Sequence, residues 1–205
     1  MYNVLIVEDQ RMPRELLEIH INSSNSYNLV ASITNADTAI KICQSQKIDL
    51  ILMDVLTDLG SNGLDASQEI KKQFPNIKII VVTSMPEASW LSRAKEIGIE
   101  SFWYKEASED SIISVMDKTM AGESIYPLDT PEIKIGLSNN HEFTERETDV
   151  LREIITGDSN TTIGERLGMS AGTVKIHIQH MLYKTGFKTR TELAAHARAL
   201  GIAIK

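Results

Sequence analysis

Four short clusters in the first half of the chain carry side chains able to do phosphoryl chemistry: Glu8-Asp9, Asp54, Thr83-Ser84 and Lys105. Each lies at the end of a short run of apolar, mostly β-branched or leucine residues: Asn3–Val7, Asp49–Met53, Ile77–Val82 and Ile99–Tyr104. Carboxylates brought together repel one another unless a cation joins them, and a ligand set made only of oxygen suits Mg2+. A phosphoryl group arriving at Asp54 needs that metal, a hydroxyl and an ammonium to balance its charge, and these residue types supply all of them. A single carboxylate at a strand end can simply cap the next helix. Four clusters, each ending its own strand, point to a site.

Holding them together requires a particular arrangement. With Leu29–Thr34 the strand-like runs number five, and between them apolar residues recur at helical spacing: Leu16, Leu17 and Ile19; Ala39, Ile40 and Cys43; Ala66 and Ile70; Leu91, Ala94 and Ile97; Ile112, Ile113, Val115 and Met116. Five strands alternating with five helices predict a doubly wound parallel α/β sheet covered on both faces. Ligands of such sheets sit beyond the carboxyl ends of the strands, where strand order reverses.

The whole chain has 205 residues, 42% of them hydrophobic, which suits a soluble globular protein with room for two domains. No apolar run approaches the roughly 18–20 residues that cross a bilayer, and Val4–Val7 lacks the basic flank and cleavage site of a leader. A cytoplasmic location without membrane association is expected. Cys43 is the only cysteine, which excludes an internal disulfide and a thiolate metal cage and leaves it as a small apolar filler. The net charge of −7 argues superficially against nucleic acid, but it is unevenly spread. Residues 1–122 carry 11 Lys/Arg against 17 Asp/Glu, and residues 123–205 carry 10 against 11. Within the latter, Ser170–Lys205 has six cations (Lys175, Lys184, Lys188, Arg190, Arg198, Lys205) against Glu192 alone, a net of +5.

From Gly122 to Asn140 the chain is rich in turn-formers and prolines, as expected of a linker over 123–140, with Ile133–Leu137 able to form a short helix or pack on a neighbour. Thr144 and Glu147 then form a capping box opening a helix with Val150, Leu151, Ile154 and Ile155 on one face, stopped by Gly157. Asn160 or Thr161 caps a short second helix ending at Gly168. Ser170 caps a third that runs to Lys184 and closes at Gly186. A short helix, a turn and a longer helix with exposed cations is a helix-turn-helix plan. In the third helix Val174, Ile178, Met181 and Leu182 form the buried side, leaving Thr173, Lys175, Ile176, Gln179 and Tyr183 wholly or partly exposed. A small bundle with a solvated basic face has the same spacing. A final helix from Thr191 to about Ala199 places Leu193, Ala194 and Ala197 on one face.

Residues 1–122 resemble the receiver domain of two-component response regulators, a flavodoxin-like fold. The resemblance is carried by Val7-Glu8-Asp9, Leu52-Met53-Asp54-Val55, Val82-Thr83-Ser84 and the run from Gly98 to Lys105. It implies that Asp54 accepts a phosphoryl group from a sensor histidine kinase, and that Glu8, Asp9 and Asp54 hold Mg2+ with the carbonyl of Leu56. It further implies that Thr83 and Lys105 contact the phosphate and that Phe102 rotates inward as Thr83 moves. Residues 141–205 resemble the LuxR-type DNA-binding domain, a small all-α unit of four helices. Here the carriers are Phe143-Thr144-Glu145-Arg146-Glu147, Gly157-Asp158-Ser159-Asn160, Ile163-Gly164-Glu165-Arg166-Leu167, Thr173-Val174-Lys175, His177, Lys184, Gly186 and Arg190-Thr191-Glu192. The combination resembles the NarL/FixJ family of transcription regulators. That implies a homodimer on double-stranded promoter DNA, with Ser170–Lys184 in the major groove. Val174 and Lys175 are then expected near bases, His177, Lys184 and Arg190 near phosphates, and Thr173 among the DNA-binding residues. His180 is expected as a packed neutral histidine, and Leu193, Ala194 and Ala197 as support for the dimer.

The loop Leu56–Gly63 departs from the receiver pattern: it lacks a proline, is one residue longer and adds Asp58, which either repels phosphate or joins the metal's outer shell. Lys105 is followed by Glu106, not proline, so no cis peptide is expected there. Two other functions compete. The altered loop suits a regulator switched by partner binding or concentration without phosphorylation. A Mg2+-dependent phosphohydrolase also uses an aspartyl nucleophile, but it wants a second Asp two residues on, where this chain has Leu56; enzymatic turnover is not expected.

Overall fold

The structure is a computed structural model that describes all residues except Pro86, Glu106, Ala107, Glu109, Asp129 and 200–205, and it divides into two compact units, Met1–Thr130 and Pro131–Lys205. The expectation about the Lys105–Glu106 peptide therefore lies outside the described residues. Among the described residues no helix is long and apolar enough to cross a membrane.

In the first unit, β1 (Tyr2–Val7), β2 (Tyr27–Ile33), β3 (Leu50–Met53), β4 (Lys78–Thr83) and β5 (Ser101–Tyr104) form one parallel sheet in the order β2-β1-β3-β4-β5. Helices α1 (Arg11–Asn22), α2 (Ala39–Ser45), α3 (Gly63–Gln73) and α4 (Ala88–Ile97) make the crossovers, and α5 (Ile112–Met120) follows the last strand. Strand β3 lies near the centre and is buried along its whole length, so Leu50-Ile51-Leu52-Met53 reads as a continuous apolar run without alternation. Leu17 and Ile21 of α1 and Ile112, Val115 and Met116 of α5 pack with Val4, Ile6, Leu52, Ile80 and Val82 into one core cluster. The strand order reverses between β1 and β3, so the carboxyl ends of these two strands bound the crevice where such sheets bind ligands.

The expected linker is not free chain. Phe102 on the edge strand β5 donates its backbone N–H to the carbonyl of Ile125 at 2.8 Å, and Tyr126 Oη donates to the carbonyl of Ile99 at 2.8 Å. Residues 123–128 thus belong to the first unit, because an edge strand leaves donors that the next piece of chain can satisfy.

The second unit opens with a hairpin of β6 (Lys134–Ile135) and β7 (Ser138–Asn139), so the short helix considered for Ile133–Leu137 is an antiparallel turn. Its Gly136 has φ 64°, and Leu137 N–H donates to the carbonyl of Thr185 at 2.9 Å. Helices α6 (Glu145–Ile154), α7 (Asn160–Leu167), α8 (Ala171–Thr185) and α9 (Arg190–Ala199) follow. The Thr144/Glu147 capping box opens α6. The cap of α7 is Ser159, whose hydroxyl accepts from Thr162 N–H, one residue before the expected Asn160 or Thr161. Ser170 caps α8 by accepting from Thr173 N–H, and Gly186 ends it in the left-handed conformation.

Candidate functional site

Glu8 and Asp9 leave the end of β1, Asp54 the end of β3, Thr83 the end of β4, and Lys105 follows β5 directly. Parallel register carries all of them to one rim. Glu8 is fully buried, and Asp54 nearly so. Lys105 Nζ donates to Asp54 Oδ2 at 2.8 Å and to Glu8 Oε2, joining two carboxylates with one ammonium. Asp54 Oδ1 accepts from Val55 N–H at 2.7 Å, and Glu8 Oε1 accepts from Gln10 N–H at 3.0 Å. Burial and the neighbouring Asp54 push the Glu8 carboxyl up to about 7 despite Lys105. Burial, Asp54 and then Asp58 also raise Asp9. Burial disfavours the charged form of Lys105, but Asp54 and Glu8 outweigh it and hold the ammonium above its usual range.

One oxygen from each of Glu8, Asp9 and Asp54 can lie within 4.8 Å of the others. Asp9 Oδ1 is buried without a hydrogen-bond partner, which is costly for a carboxylate oxygen unless a cation takes it up. The donor set and this oxygen fit a divalent cation of the Mg2+ type. Thr83 is buried, its Oγ1 accepting from Met85 N–H at 3.2 Å. Phe102 is 1% exposed, so the ring expected to rotate inward is already inside.

The longer loop after Asp54 is anchored. Asp58 N–H donates to Thr34 O at 3.0 Å, and Asn35 Nδ2 donates to Asp58 O at 2.7 Å. Ala36 N–H donates to both Thr57 Oγ1 and Ser61 Oγ at 3.0 Å. Leu56 bridges to Asn62 across this loop, and the extra length bulges outward at Leu59, which is 98% exposed with φ 61°. The return is tight: a Cβ on Gly63 would sit 1.9 Å from the carbonyl oxygen of Asp54. An apolar groove of about 500 Å3 opens beside Lys105, lined by Met12, Pro13, Leu16, Trp103 and Ile112. The sequence signal for it was an excess of apolar residues on α1, whose Met12, Leu16 and Ile19 stay exposed.

On α8, Thr173, Lys175, Ile176, Gln179, His180 and Tyr183 face solvent and His177 is half-buried. Val174 is wholly buried among the helices and does not face outward, which removes it from the expected base contacts. His180 is exposed, not packed. Lys184 Nζ donates to the carbonyl of Glu142 and to Glu147 Oε2, both at 2.7 Å, so this cation ties α8 to α6 and is not a free phosphate ligand. Arg190 donates to Asn160 Oδ1 and to the carbonyl of Asp158 at 2.9 Å, pinning the start of α9 to the start of α7. Leu193 and Ala197 are buried within their own unit, so a dimer contact through them is not available.

A sheet with an acidic, lysine-bridged rim followed by a helix-turn-helix unit defines a class: DNA-binding regulators under phosphorylation control. Residues 4–117 match the response regulator receiver domain, and residues 141–197 match the bacterial regulatory proteins of the luxR family. The chain is 32% identical over 202 residues to the response regulator protein VraR of Staphylococcus epidermidis, covering 95% of each, and 31% identical over the same length to VraR of Staphylococcus aureus. RcsB of Salmonella enterica serovar Typhimurium, solved bound to the promoter rprA with phosphomimetic BeF3−, shares the fold: TM-score 0.55 at 20% identity, covering 97% of this chain and 98% of that one. The chain belongs to the response regulators of the NarL/LuxR type, transcription factors that join a receiver domain to a LuxR-type DNA-binding domain.

Proposed function

We propose that Asp54 accepts a phosphoryl group from the phosphohistidine of a sensor kinase, and that the acyl phosphate switches a homodimer of this chain on promoter DNA. The observation that carries the reading is the meeting of two buried carboxylates, Glu8 and Asp54, on the one ammonium of Lys105. An Asp54 oxygen attacks phosphorus, the phosphorus–nitrogen bond breaks, and the imidazole nitrogen takes up a proton. Glu8, Asp9, Asp54 and the carbonyl of Leu56 are the residues that would hold Mg2+, whose charge offsets that on the transferred group. Lys105 turns from Asp54 to a phosphoryl oxygen, and Thr83 supplies a hydroxyl donor. The chain changes state once per phosphoryl group and is not a turnover enzyme; Leu56 stands where an aspartyl phosphohydrolase wants its second Asp. Its setting is the cytoplasm, where the kinase's phosphohistidine and the promoter are both reachable.

Asp54→Asn is expected to abolish labelling by acetyl phosphate, seen by mass spectrometry; a variant that still takes the label at wild-type level ends the assignment. On the DNA side, Thr173, Lys175, Gln179, His177 and His180 form the reading face, with Lys175 its central cation. Lys175→Ala is expected to weaken duplex binding about tenfold and, for a phosphate contact, to lower the slope of log affinity against log salt by about one. An unchanged salt series refutes the contact.

A further inference from the structure

The chain after α5 does more than close a sheet edge. Ile125 accepts the backbone N–H of Phe102 and donates its own to Ser101 Oγ at 3.1 Å, and that hydroxyl is paired with Thr119 Oγ1 of α5 at 2.7 Å. The next residue, Tyr126, lies with its ring 6.3 Å from that of Phe102, its hydroxyl on the carbonyl of Ile99 and Lys95 Nζ of α4 5.1 Å from its ring centre. Phe102 in turn lies 5.1 Å from the ring of Tyr104, and Tyr104 is the cross-strand partner of Thr83. A row of neighbours thus runs from Thr83 at the site through Tyr104 and Phe102 to Tyr126, five residues before the second unit begins at Pro131.

We propose that Tyr126 is the residue through which the state of Asp54 reaches the segment joining the two units, an inference that rests on the phosphoacceptor reading above. Tyr126 is a positioning residue; it touches no reacting atom. Thr83 Oγ1 now accepts from Met85 N–H. Turning this hydroxyl to donate to a phosphoryl oxygen breaks that bond and draws the side chain away from Tyr104. A close-packed interior does not leave the vacated space empty, since a void forfeits contacts on every wall. Tyr104 and Phe102 follow toward the site, and the backbone bond from Phe102 to Ile125 carries the segment with them. Phosphorylation therefore tightens residues 125–126 onto β5. By linkage, loosening Tyr126 disfavours the phosphorylated state by the same factor.

The test is hydrogen exchange on the full chain with and without beryllofluoride and Mg2+, with acetyl phosphate labelling of Asp54 run in parallel. In the wild type, the amide of Phe102 and those of 123–126 are expected to exchange about fivefold more slowly with beryllofluoride. Tyr126→Ala is expected to abolish that difference and lower labelling at a fixed donor concentration about threefold. Tyr126→Phe, which loses only the bond to Ile99, keeps the ring row and most of the difference. Should Tyr126→Ala fail to fold, the wild-type comparison decides alone. Equal exchange in both states of a chain that takes the label overturns the role of Tyr126 and leaves the phosphoacceptor reading standing. A wild-type chain that takes no label overturns both.

Discussion

Lys105 sits where its charge is worth most. Its ammonium is the cation that Glu8 and Asp54 share, and both carboxylates are buried. Lys105→Met leaves them facing each other without a counter-charge, and breaking such a buried arrangement costs about 3–5 kcal/mol. Urea unfolding in chelator is expected to show that loss, Mg2+ to recover part of it, and phosphoryl labelling to fall about tenfold. A second ion pair, buried Glu147 with half-buried Lys184, sets a pH dependence. Burial alone raises the Glu147 carboxyl, but the hydrogen bonds from Lys184 and Thr144 outweigh it and hold the group below 4.5. A folded-state value below the unfolded one contributes stability above the unfolded value of 4.5, and that contribution is lost as pH falls through the folded one. Thermal melts of Glu147→Gln are therefore expected to lose less stability than the wild type between about pH 5 and 3. Glu8, Asp9, Asp54, Thr83 and Lys105 were legible in the sequence because each directly follows or ends an apolar run. The duties of Lys184 and Arg190 were not, since their partners lie 37 and 30 residues away.

Two glycines show where one element must touch another. At the start of α3, Gly63 lies against the carbonyl of Asp54, and an added Cβ would meet it at 1.9 Å. Gly63→Ala must push the loop off Asp54, and its labelling rate by acetyl phosphate is expected to drop about tenfold. In the β6–β7 hairpin, a Cβ on Gly136 would meet the carbonyl of Thr185 at 2.2 Å, and its φ of 64° is strained for other residues. Gly136→Ala is expected to cost about 2 kcal/mol in the unfolding of the second unit and to free the carboxyl end of α8. Most elements were readable from period and caps, as with the capping box of α6 and the buried stripe of α8. The hairpin was not, because two-residue strands carry no periodic signal and the tie to Thr185 is made in space.

At the scale of the molecule, the net charge of −7 is the sum of two differently charged parts. Some of the acidity of the first half is the site itself, where Glu8, Asp9 and Asp54 crowd beside Lys105. Within the basic stretch Ser170–Lys205, Lys184 is offset by the carboxylate of Glu147, while Arg190 is held by the neutral oxygens of Asn160 and the Asp158 carbonyl and keeps its charge. Alternation, caps and charge are properties of neighbouring residues, so the amino-acid sequence by itself determined the two units, the strand-end chemistry and the helix-turn-helix plan. Tertiary structure alone decided that Lys184 and Arg190 hold helices together and that the chain after α5 lies along β5 beside Phe102. These outcomes depend on which surface a side chain meets once distant segments are packed, and on the unpaired donors of an edge strand, which no local pattern records.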